Sequence, residues 1–158
     1  MSTTTHAVAT PSLFDPAANR AVIARIERLT PQTRALWGKM SVARMLAHCE
    51  RPLLVACGGL VLKRGLIGIL FGGMAKRSLL KPKPFDKGLP TAPEFKVPDE
   101  PDFAAAKATL TKLVARFAAE GPAILTKHPH PFFGALTEAE WDALQWKHLD
   151  HHLRQFGA

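Results

Sequence analysis

Apolar residues recur every three to four positions in four stretches of the chain, and proline or glycine closes each stretch. That period belongs to one face of an α-helix. In the first stretch Asp15 precedes Pro16, an N-cap followed by an N1 proline. Ala18, Val22, Ile26 and Leu29 then form the apolar set, and Pro31 ends the helix. Ser41 opens the second helix, with Val42, Met45, Leu46, Cys49 and Leu53 as its stripe. Pro52 lies inside that run. It has no N–H to donate, so it should kink the helix or end it early. The third helix is expected from about 102 to 120, where Phe103, Ala106, Leu110, Leu113, Val114 and Phe117 keep the period. Gly121-Pro122 stops it. The fourth begins at Thr137, whose partner Glu140 completes a capping box, and continues to about Phe156 before Gly157.

No alternating apolar-polar pattern competes with these helices. The expected fold is therefore all-α, a four-helix bundle with a long crossover between its second and third helices. The crossover changes character midway. Residues 60 to 82 are apolar, basic and glycine-rich, and read as a loop and then a short helix over about 66 to 80. Residues 81 to 101 carry six prolines, which favours an extended surface connection.

The 158 residues suit one domain, expected over 15–157, with 1–14 as a flexible N-terminal tail. A hydrophobic fraction of 47% is enough for a core without staples. The N-terminus lacks a basic start and an apolar run, so it does not read as a signal peptide. Lys63 and Arg64 split the most apolar region, and neither piece reaches the ~20 residues of a transmembrane span. Cys49 and Cys57 are eight positions apart on one helix, roughly 12 Å along its axis. A disulfide needs Cα atoms within about 7 Å, so both are expected reduced, in a cytoplasmic protein.

The formal net charge is +8. Residues 63 to 87 hold seven basic side chains against Asp86 alone, a local +6. Such a segment could meet phosphate or an anionic membrane, or be a solvated loop. Aromatic residues are not interleaved with the basic ones as base-stacking surfaces require, which argues against nucleic acid.

Three of the seven histidines crowd the last helix, in "WKHLDHHLRQFG". A helix turns about 100° per residue. With His148 at zero, Trp141 lies at about 20°, Phe156 at about 80° and His152 at about 40°, while His151 lies at about −60°. His148 and His152 thus share the apolar face one turn apart, and His151 stands at its rim. Two imidazoles at this spacing can reach one ion. They could instead be neutral and bonded to backbone or water. His48, in "MLAHC" on the second helix, borders the interior and would complete a three-nitrogen site. Three ligands leave positions open, the pattern of catalytic centres. Glu50 and Asp150 neighbour these histidines and could orient a ring. His128 and His130, in "KHPHPFF", lie in a proline-braced loop that could fold over the bundle mouth.

A histidine in "MLAHC", followed about 100 residues later by His-x-x-x-His on the last helix, resembles the DinB-like superfamily of metal-binding four-helix bundles. "LWGKMSVARMLAHCERPL" and "HPFFGALTEAEWDALQWKHLDHHLRQFG" are similar to an uncharacterised bacterial branch, so the resemblance spans about 20 to 157. It implies a divalent metal, nickel or zinc, on His48, His148 and His152. It also implies thiol-dependent transferase or isomerase activity with a low-molecular-weight thiol, and homodimers; since a metal on three histidines could also activate water, the expected function is a metal-dependent thiol transferase or hydrolase. The basic segment 60–88 departs from the bundle pattern. The alternative is a non-catalytic bundle that binds an anionic ligand, lipid or nucleic acid through its pocket or residues 63–87.

Overall fold

The computed structural model describes residues 10–158, and over them it holds five α-helices and no strand. The helices are α1 (Pro16–Glu27), α2 (Val42–Ala56), α3 (Leu66–Leu79), α4 (Phe103–Glu120) and α5 (Glu138–Gln155). Single turns of 3-10 helix lie at Pro93–Phe95 and Gly121–Ile124.

The starts of four helices are fixed by side-chain caps. Asp15 accepts from the Ala18 N–H at 2.7 Å, and Ser41 from Arg44 at 3.1 Å. Asp102 accepts from Ala105 at 2.8 Å. Thr137 and Glu140 make the reciprocal pair of a capping box, at 3.2 and 2.8 Å. These bonds satisfy N–H groups that a helix leaves without partners. At the other end of α4, Gly121 takes φ 61°, a left-handed conformation that glycine tolerates and other residues resist.

α2 packs against α4 and α5, and α1 packs against the same two helices. Their inward stripes form one core around Met45, Leu46, Leu53, Leu110, Val114, Phe117, Leu149 and Leu153, all buried. The long connection from α2 to α4 carries α3, whose Leu79 joins this core.

Three expectations change against the structure. Pro52 does not end α2, which continues to Ala56 with Pro52 buried inside it. The missing proline N–H leaves one carbonyl, that of His48, without its helical donor. The expected tail covers 1–14. Residues 1–9 lie outside the described residues, but Leu13 is fully buried and its N–H donates to Asp142 at 2.8 Å. Asn19 then donates to the Leu13 and Val114 carbonyls, both at 2.8 Å, and ties the entry strand of chain to α4. Finally, Ala18 contributes less to the α1 inner face than this buried Asn19 does. Both cysteines are free, and burial pushes the Cys49 thiol pKa up.

Candidate metal centre

α2 and α5 cross so that one turn of each meets in the interior. His48 projects from α2, and His148 and His152 from successive turns of α5. Their ring centroids form a near-equilateral triangle with sides of 4.7 to 4.9 Å. One ligand nitrogen from each lies within 4.8 Å of the other two. His48 and His152 are 5% and 9% exposed, while His148 is half-buried.

Two of the rings are held from behind. Nδ1 of His48 lies 2.9 Å from the Phe95 carbonyl. A carbonyl only accepts, so Nδ1 carries the proton and Nε2 keeps its lone pair. Nδ1 of His152 lies 2.8 Å from Oε1 of Gln155. The Gln155 amide is itself oriented, because its Nε2 donates to the Trp37 carbonyl at 2.9 Å. Its Oε1 therefore accepts from His152, and His152 Nε2 is the free nitrogen. This is the arrangement in which outer partners fix the tautomer of metal-binding imidazoles.

His148 has no such outer bond. Its Nε2 lies 3.0 Å from Nε2 of His48. Two nitrogens can approach this closely by sharing a proton or by sharing a cation. With metal–nitrogen bonds of about 2.0–2.1 Å, neighbouring ligand nitrogens stand about 3.4 Å apart in a tetrahedron and about 2.9 Å apart in an octahedron. The His48–His148 spacing falls in that range, and with the third nitrogen within 4.8 Å the three residues could hold a metal ion.

Electrostatics point the same way. Burial lowers the pKa of His148 well below that of a free imidazole, and His152 and His48 lower it further. Burial and then His48 lower His152 to about 3, against the bond to Gln155, which raises it. His48 is lowered by burial and raised in part by its bond to Phe95. All three are thus neutral near pH 7, the state in which imidazole binds metal.

The other sequence candidates fall outside this group. His151 is half-buried and packs its ring near Trp37 (5.9 Å) and Phe85 (6.2 Å), residues of the connecting segments. His128 is exposed on the loop. His130 is buried, but its Nδ1 accepts from the Phe132 and Phe133 N–H groups at 3.0 and 3.1 Å. It braces its own turn and does not cover the site. Asp150 pairs with Arg25 at 2.8 Å, so it orients no imidazole. Glu50 is half-buried, and burial raises its pKa.

The true supports escaped sequence reasoning. Gln155 follows His152 by three positions on the same helix, a signal available in the sequence. The Phe95 carbonyl has none, because backbone position in a proline-rich connection leaves no residue signature. Gln145 also lies on the inward face, one turn before His148, and neither atom of its buried amide has a hydrogen-bond partner among the described residues.

No curated protein and no solved structure matches the chain. One family model does, that of DUF1569, described as a protein of unknown function, and it aligns with residues 14–158. The match covers all five helices and each of the three clustered histidines, and the chain belongs to this family.

Proposed function

We propose that the protein is a DinB-like metalloprotein whose four-helix bundle, α1, α2, α4 and α5, holds nickel or zinc on His48, His148 and His152. The observation that carries the reading is the pair of Nδ1 bonds, to Phe95 and to Gln155. They turn two Nε2 lone pairs toward a point that His148 also reaches.

A divalent ion bound there would act as a Lewis acid, lowering the pKa of a ligand thiol or water or polarising a carbonyl. The chain's part is to keep the three imidazoles neutral, hold their tautomers and leave coordination positions open. The chain's own thiols are poor candidates for the reacting group. Cys49 is buried with its pKa raised, and Cys57 caps the far end of α2. A low-molecular-weight thiol from the surroundings would fill that role, in a transferase or a hydrolase. Two free cysteines suit the reducing cytoplasm. The unpaired amide of Gln145 adds a donor and an acceptor one turn from His148.

The test is metal analysis of tag-free protein, with calorimetric titration of nickel and zinc into the chelator-treated form. One ion per chain is expected, with His148→Ala lowering affinity at least about tenfold. No stoichiometric binding of either metal would refute the reading. Thiol-transfer and esterase screens on the loaded protein then separate the two reaction classes.

A further inference from the structure

α3 is built inside out. Only Gly68, Gly72 and Leu79 of its fourteen residues are buried. A Cβ on Gly68 would stand 2.8 Å from the Pro131 carbonyl oxygen, and one on Gly72 would collide with that of Phe132. The two glycines let the helix backbone lie directly on the 131–133 loop. Farther along, Lys76 donates to the Ala135 carbonyl and pairs with Glu140 at 2.9 Å. Lys147, from α5, donates to the Leu79 and Lys81 carbonyls. Backbone contacts and lysines hold α3 down, and its large apolar side chains are left over.

Those side chains point away from the protein. At about 100° per residue, Leu70 lies about 180° from the centre of the buried Gly68–Gly72–Leu79 face. Leu66, Ile67, Leu70, Phe71 and Met74 are between 51% and 77% exposed. Arg77 falls on the same outer face, Lys63 precedes the helix and Lys81 follows it, while Arg64 turns inward and donates to the Gly68 carbonyl at 3.1 Å. Lys63, Arg77 and Lys81 are exposed, and none has a carboxylate partner among the described residues.

We propose that the outer face of α3 docks in the plane of an anionic lipid surface, with Leu66, Ile67, Leu70, Phe71 and Met74 entering the acyl boundary and Lys63, Arg77 and Lys81 meeting lipid phosphates. An apolar face edged by Lys and Arg has the chemistry of an interfacial helix. Fourteen residues span about 21 Å, too short to cross a bilayer, and no helix of the described chain is long and apolar enough to do so. Charge separates a lipid surface from a second copy of this chain. Pairing two α3 faces would bring their unpaired cations together, whereas an anionic surface neutralises them.

The test is co-sedimentation of the full chain with vesicles of phosphatidylcholine alone or mixed equally with phosphatidylserine. Binding to the mixed vesicles is expected, at least about tenfold stronger than to phosphatidylcholine. Leu70→Asp, at an exposed position that leaves the fold intact by circular dichroism, should weaken it at least about tenfold. Arg77→Gln and Lys81→Gln should each weaken it about fivefold. Equal binding to the two vesicles, absence of binding, or Leu70→Asp binding like the wild type would overturn the proposal. A solution dimer that Leu70→Asp dissociates would overturn it too, by assigning the face to a second copy.

Discussion

Acid should unfasten the loop on which α3 rests, and His130 sets where. Burial lowers its pKa to about 4, and its Nδ1 accepts from two backbone N–H groups, which only the neutral ring can do. In the unfolded chain the ring titrates near about 6.5. Between these values the unfolded state binds a proton that the folded state refuses, so stability falls as pH falls. The contribution is complete above about pH 6.5 and is lost progressively toward about pH 4. A shift of about 2.5 units, at 1.36 kcal/mol per unit, puts the full loss at roughly 3 kcal/mol. The assay is urea denaturation at a series of pH values, comparing wild type with His130→Ala. The variant should be less stable at neutral pH, because Phe132 and Phe133 lose their acceptor. Its stability should also fall by about 3 kcal/mol less than the wild type's over that pH window. The site histidines titrate in both proteins, so the difference isolates His130. Parallel curves would refute the assignment of His130 as a neutral brace.

Two further outcomes concern other polar supports. Gln155→Leu removes the acceptor that fixes His152 and should lower metal affinity by about ten- to a hundredfold while leaving one ion per chain, measured by titration calorimetry. Asn19→Ala leaves the Leu13 and Val114 carbonyls without their donor inside the fold, and should cost about 1–3 kcal/mol in chemical denaturation.

The helices that carry the core were legible because burial and period coincide in them. Met45, Leu46 and Leu53 point inward as their spacing requires, and Thr137 with Glu140 announces the start of α5. The same geometry separated His148 and His152 from His151. Of the two outcomes open at Pro52, an early end is excluded, because burial of its ring in the α2 stripe outweighs one lost hydrogen bond. The burial of Leu13 was not legible because the clue, an apolar residue before the Asp15 cap, acquires meaning only when Asp142 arrives from the other end of the chain. α3 was read as a short helix, but its orientation was not legible. Its glycines are its contact surface, and periodicity of apolar side chains says nothing about a helix that packs by its backbone.

Gln155 also joins the site to a stretch of chain with no regular structure. Its carbonyl accepts from the Leu36 N–H at 2.7 Å, its side chain donates to the Trp37 carbonyl, and a Cβ at Gly38 would stand 2.9 Å from its amide nitrogen. If His152 moved its proton from Nδ1 to Nε2, Gln155 would have to turn its amide over to supply a donor. Its oxygen would then confront the Trp37 carbonyl, acceptor against acceptor. The tautomer of a buried imidazole is thus coupled, through one amide, to the backbone carbonyl of Trp37.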